Sequence, residues 1–265
     1  MRGPEVPVVR RPPAPGDAPL PRWWSRGNRF GTHLGNGMNF VFPAGERFFI
    51  RSVRFYADGL TDPALKARVA AFAAQEAWHQ KAHLDLFADL ESQGFEVRSF
   101  LDWYERWAYQ HIEPRCPPAL RLSTTAALEH LTATFAEMAL DTPLLDGVDP
   151  RMAAVLRWHA AEEIEHRDVA FDVLLTVDAR YRVRLAGFVM GVGTLGVFWA
   201  AGTRHLLRQD PAPDRAADRA GQAEVGAYWA AHGPRFLRTA LRYLHPGFHP
   251  RAAAIDHLIP RGLAA

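Results

Sequence analysis

The sequence predicts an all-α protein built round a four-helix bundle, with additional helices towards the C-terminus. Three observations lead there. Apolar residues recur at helical spacing over long stretches, while strand-like alternation is scarce. Proline, glycine and aspartate punctuate the ends of those stretches. Two of the stretches carry a Glu-x-x-His pair inside an otherwise apolar stripe.

Residues 1–26 are rich in proline and arginine, with no apolar segment behind the basic residues. They read as a disordered or extended tail and not as a secretory signal. Residues 27–265 read as a single helical domain. Pro43 opens the first bundle helix, near 43–57, and Gly59 follows its end. Asp62 caps and Pro63 starts the second, 63–93, which Gly94 closes. A shorter helix is expected at 99–112, stopped by Pro114. Pro117 and Pro118 begin the third bundle helix, 117–140. Asp149 and Pro150 repeat the cap–proline signature and open the fourth, 150–177.

Residues 185–203 form a further helix without a single charge, with Arg180, Arg182 and Arg184 before it and Arg204 and Arg208 after it. The run is long enough to span a bilayer, although its glycines lower its apolarity. Core burial and membrane contact are both open for it. A last helix is expected at 224–244, and the prolines and glycine of 245–250 end regular structure.

With 48% apolar residues, 265 positions supply one large core. A formal charge of +2 gives no field that would select nucleic acid. The lone Cys116 rules out an internal disulfide and removes any zinc site built on paired thiolates. It fits a reducing compartment, so the expected location is cytoplasmic, or the inner membrane face if 185–203 meets lipid.

Glu76 and His79 project from one helix face together with Val69, Phe72, His83 and Leu86. Glu163 and His166 repeat the arrangement, with His159 one turn earlier, in a stripe running from Met152 to Val177. Glu46 shares a face with Phe42, Phe49, Ile50 and Val53, and Glu129 with Leu122, Thr125, Thr132 and Ala136. Burying these groups unpaired costs several kcal/mol each, and a divalent cation offsets that cost. One glutamate from each of two helices, plus a Glu-x-x-His pair from each of two others, is the ligand inventory of di-iron and di-manganese bundles.

Rival readings differ by residue. The two pairs could lie on solvated faces, and Glu46 could serve a neighbouring arginine. Glu137 competes with Glu129, whose neighbours one turn away are apolar or small. Glu162 and Glu165 fall off the stripe, behind the ligands or at the surface. His83 reads as a satisfied core histidine, and His130 points elsewhere.

The segments PAGERFF, QEAWHQKAH, ALEHLTA, WHAAEEIEHRDVAFD and YLHPGFHP resemble the bacterial family catalogued as predicted metal-dependent hydrolases, from about Phe30 to the C-terminus. The ligand layout is also similar to that of the ferritin-like arylamine N-oxygenases, a di-iron group with a seventh ligand. Their pattern of Glu, Glu-x-x-His, Glu and His-x3-Glu-x2-His falls here on Glu46; Glu76 and His79; Glu129; and His159, Glu163 and His166. That resemblance implies a ferritin-like bundle holding two iron ions, with manganese or zinc as alternatives. It does not extend to an arylamine substrate.

The expected function is therefore a non-haem di-iron oxidase or oxygenase that uses O2 on a small organic molecule, for which the apolar stripes suggest low polarity. A metal-dependent hydrolase is the alternative. Non-enzymatic iron handling is the second alternative, and the apolar 185–203 helix argues against a storage shell.

Overall fold

The computed structural model describes residues 5–14, 16 and 19–264. Among them there is no strand, only an isolated bridge between Ser25 and Val148, and the fold is all-α. Helix α1 spans Arg29–Arg54, α2 Pro63–Ser92, α4 Pro118–Asp141 and α5 Pro150–His166. A short α6, Val169–Val177, continues the line of α5. α1 packs on α2 and α4, while α5 and α6 pack on α4 and α2, closing a four-helix bundle. Between α2 and α4 lies α3, Arg98–Glu105, which passes into wider π turns to Ile112.

Several boundaries differ from expectation. α1 begins fourteen residues before Pro43, at Arg29, where the Asn28 side chain accepts from the Gly31 amide (2.9 Å). Glycine in this added stretch serves packing. A Cβ on Gly37 would stand 2.3 Å from Thr203 Oγ1, so the glycine lets α1 and α7 cross closely. The stretch expected as one helix over 150–177 is interrupted at Arg167 and Asp168, with no proline or glycine to mark the turn. α7, Tyr181–Gln209, overruns the uncharged segment at both ends. α8, Arg215–Leu241, starts nine residues before 224 because Asp214 caps it, accepting from the Ala216 amide (2.7 Å). A five-residue α9, Ile259–Leu263, lies against α5.

α7 and α8 both pack on the α1–α4 side of the bundle. α7 is held close to α4 by Gly187, whose absent Cβ leaves room for Ser123. The segment read as a disordered or extended tail runs without helix over its described part and lies along the bundle. Leu20 and Trp24 are buried, and Arg10 reaches α5. Residues 1–4, 15, 17 and 18 of that segment lie outside the described residues.

Candidate metal centre

Along the bundle axis a polar cluster lies beside an apolar one. Val69, Phe72, Leu122, Ala126 and Val173 form the dry, apolar one. At mid-height, α1 contributes Glu46, α2 Glu76 and His79, α4 Glu129, and α5 His159, Glu163 and His166, all buried. The structure brings all seven residues singled out from the sequence into one cluster. Ligand-capable atoms lie within 4.8 Å of one another in overlapping groups: Glu46 with Glu76 and His79; Glu76 with Glu129 and His166; His79 with His159 and Glu163.

Most of these atoms lack a protein partner. Both oxygens of Glu46, Glu76 and Glu129, one of Glu163, and the nitrogens His79 Nδ1 and His166 Nε2 have no aligned hydrogen bond. His166 Nε2 nonetheless stands 3.1 Å from Glu76 Oε1 and 3.2 Å from Glu129 Oε2. Native interiors rarely leave buried polar atoms unmatched, so this concentration marks a place built for another group. Carboxylate oxygens and imidazole nitrogens suit iron, manganese or zinc. The residues therefore fit bound divalent cations.

Each histidine turns its second nitrogen to a partner outside the donor set. His79 Nε2 lies 3.1 Å from Glu162 Oε2, and His166 Nδ1 lies 3.0 Å from Gln75 Oε1. His159 Nδ1 lies 3.1 Å from His83 Nε2, and His83 Nδ1 in turn meets Asn39 Oδ1. Such contacts fix ring orientation and leave the inward nitrogen free to ligate. Further out, Gln75 donates to Glu165 (3.0 Å), and the Arg10 guanidinium grips both Glu165 oxygens at 2.8 and 2.9 Å.

His83 is buried with both ring nitrogens partnered, as read from the sequence, but it lies closer to the site than that reading implied. Its ring sits at the edge of the cluster, with Nε2 also 3.3 Å from Glu46 Oε1, and Phe42 stacks on it. Its place in the 76–79–83 stripe was the available signal. Glu162 and Glu165 lie behind the ligands, within the range expected for them. Glu137 pairs with Arg235 at the surface (2.6 Å), and His130 turns away to the carbonyls of Thr239 and Ala240.

Electrostatics follow from burial. Desolvation pushes the Glu46 and Glu76 carboxyls well above the usual range and Glu129 up to about 7. Burial drives His79 well below its ordinary value and His83 down to about 3, so both are neutral ligand-type imidazoles. Burial also opposes charge on Glu163 and His166. Attraction to His166 and His159 overrides it for Glu163 and holds that carboxyl well below its ordinary value; attraction to Glu129 and Glu163 holds His166 well above its own.

A cavity of about 260 Å3 adjoins the cluster, with His83, His159 and Glu163 in its wall. Its remaining wall is mostly apolar, including Phe42, Leu86, Phe135, Leu156, Trp199 and Trp229. This arrangement gives a buried donor set one greasy approach.

No curated protein and no solved structure matches the sequence. A family model described as predicted metal-dependent hydrolase matches residues 8–254, a span that contains every donor named above and the tail that holds Glu165. The chain belongs to that family of predicted metal-dependent hydrolases.

Proposed function

We propose that the chain is a two-metal enzyme that transforms a small apolar molecule held in the cavity beside the centre. The carrying observation is the set of buried, partnerless donor atoms that meets an apolar chamber at His159 and Glu163. Glu46, Glu76, Glu129 and Glu163 would hold the cations together with His79, His159 and His166. Cations bound there would supply Lewis acidity for hydrolysis or, as an iron pair, electrons for reducing O2.

The chain's own residues bind, orient and exclude water. Glu162, Gln75 and His83 fix the imidazoles, and Phe42 lies against His83 and His159. The apolar wall lets a substrate displace loosely held water as it enters. An iron store has no need of such a chamber, which favours an enzyme.

The family description supports hydrolysis and moves it ahead of the oxidation that the sequence alone put first; the apolar chamber would suit an apolar ester or amide. Oxidation is kept as the second reading on one observation, the anionic four-glutamate, three-histidine set, which suits iron that changes oxidation state. Metal-free protein reloaded with Zn(II) should be assayed on apolar esters and amides. The same protein loaded with Fe(II) without oxygen should be exposed to O2 and followed in the visible. Turnover by the zinc form supports hydrolysis, and O2 uptake with a new visible band supports oxidation. Silence in both overturns the enzyme reading.

A further inference from the structure

Helix α7 is the one helix among the described residues long and apolar enough to cross a membrane, yet it does not stand alone. One face packs on α1 and α4, with Gly187, Phe188, Gly191, Phe198 and Gly202 buried. The opposite face is exposed and carries no charge between Leu185 and Ala200: Val189 and Val197 are 65% and 63% accessible. That strip is about 24 Å long at 1.5 Å per residue. Arg182 and Arg204 fall on the same face and terminate it at either end, both exposed.

α8 repeats the design. Its outer row of Ala223, Ala227, Ala230, Pro234 and Leu237 is exposed and apolar, with Arg219 exposed before it and Arg238 exposed after it. Both helices cover the same α1–α4 flank, so their outer faces point away from the bundle on one side. The chamber lies beneath them, with Trp199 of α7 and Trp229 of α8 in its wall.

We infer that the outer faces of α7 and α8 form a docking surface for an anionic lipid bilayer, and that the chamber takes from it an amphiphile with an apolar chain. Apolar strips bounded by arginines match a surface of acyl chains beneath acidic headgroups. The packed inner face of α7 makes it a helix that lies on the membrane and not one that spans it. A second copy of the chain would also cover apolar surface, but like arginines would then face one another. The substrate half of the inference rests on the proposed enzyme reading; the docking half does not, because it is read without turnover.

Metal-loaded full-length protein should be floated with vesicles of phosphatidylcholine alone and with phosphatidylglycerol added. Binding is expected only to the anionic vesicles, and Val189→Asp with Val197→Asp should lower the bound fraction roughly tenfold. Because both valines are largely exposed, the double variant should keep its melting temperature and metal content. Leu237→Asp on α8 gives an independent reading of the second face. Wild type that floats with neither vesicle, or a double variant that floats like wild type, overturns the docking surface. A wild-type dimer that the aspartates convert to a non-floating monomer assigns the face to a second copy instead, which also overturns it.

For the chamber, a conjugated polyene fatty acid placed in the vesicles should quench Trp199 and Trp229 by energy transfer. Ala139→Phe, which narrows the cavity wall, should reduce that transfer without changing flotation. Equal transfer in this variant overturns the chamber's role and leaves docking standing.

Discussion

Helices α5 and α6 carry two buried acidic clusters little more than a turn apart, and they are balanced in opposite ways. Beyond His166, Asp168 meets Arg68 and Arg251, while Asp172 accepts from Arg68 (2.5 Å) and His249 (2.8 Å). There the protein supplies its own cations from α2 and from the C-terminal His249–Arg251 segment. Before that point, Glu163 and its three companion glutamates face only imidazoles, and most of their oxygens have no donor. A self-neutralised cluster is structural, whereas an acceptor-rich cluster that is buried more deeply asks for charge from outside.

The largest effect should come from withdrawing that outside charge. Exhaustive chelation should lower the melting temperature by on the order of 10 °C, since metal binding is linked to folding. Calorimetry with and without chelator measures this, and an unchanged melting curve would erase the distinction between the clusters. Next in size is Arg68→Ala. It strands the buried Asp168 carboxylate and should cost about 3–5 kcal/mol in denaturant melts. Metal content should not change, because Arg68 touches no donor residue. Metal loss alongside the instability would tie the clusters together.

Acid should separate them in a third way. Metal ligands must be deprotonated, so cations should leave as pH falls through the ordinary histidine range, about 6.5, and below. Asp172 is held below its ordinary 3.8: burial opposes this, but His249 and Arg68 outweigh it. A carboxylate with a depressed folded pKa contributes stability above the unfolded value and loses it as pH falls through the folded one. The salt-bridged cluster should thus persist until pH drops below about 4. Metal analysis and circular dichroism across one acid titration should give two separate transitions, and a single coincident one would contradict the scheme. The smallest effect belongs to Arg10→Ala. Its guanidinium is part-exposed beside Glu165, so stability should fall by less than about 1 kcal/mol, with metal retained.

The fold class and the convergence of the seven candidate ligands were legible because both rest on local spacing. Three- and four-residue intervals put Glu76 with His79, and His159 with Glu163 and His166, on single faces. What stayed hidden depends on partners far along the chain. Asn39 behind His83 and Gln75 behind His166 gain their roles only when α1, α2 and α5 meet. Arg10 finds Glu165 across 155 residues. The early start of α1 was masked because Pro43 reads as a helix opener, whereas α1 runs through it and Gly37 gains its role only where α7 brings Thr203 against it. The turn at Arg167 was invisible because no proline or glycine marks it; there Arg167 donates to the Pro250 and Ala253 carbonyls and Asp168 pairs with Arg68 and Arg251. The accessible face of α7 could not be told from a core face, since helical periodicity alone does not say which side is covered.

The most direct test is elemental analysis of the purified chain beside three single variants, His79→Ala, Glu163→Ala and His166→Ala. The balance of charges described above predicts about two metal ions per wild-type chain, with at least one lost in each variant. A wild-type chain that takes up no metal, or full occupancy in all three variants, would contradict it.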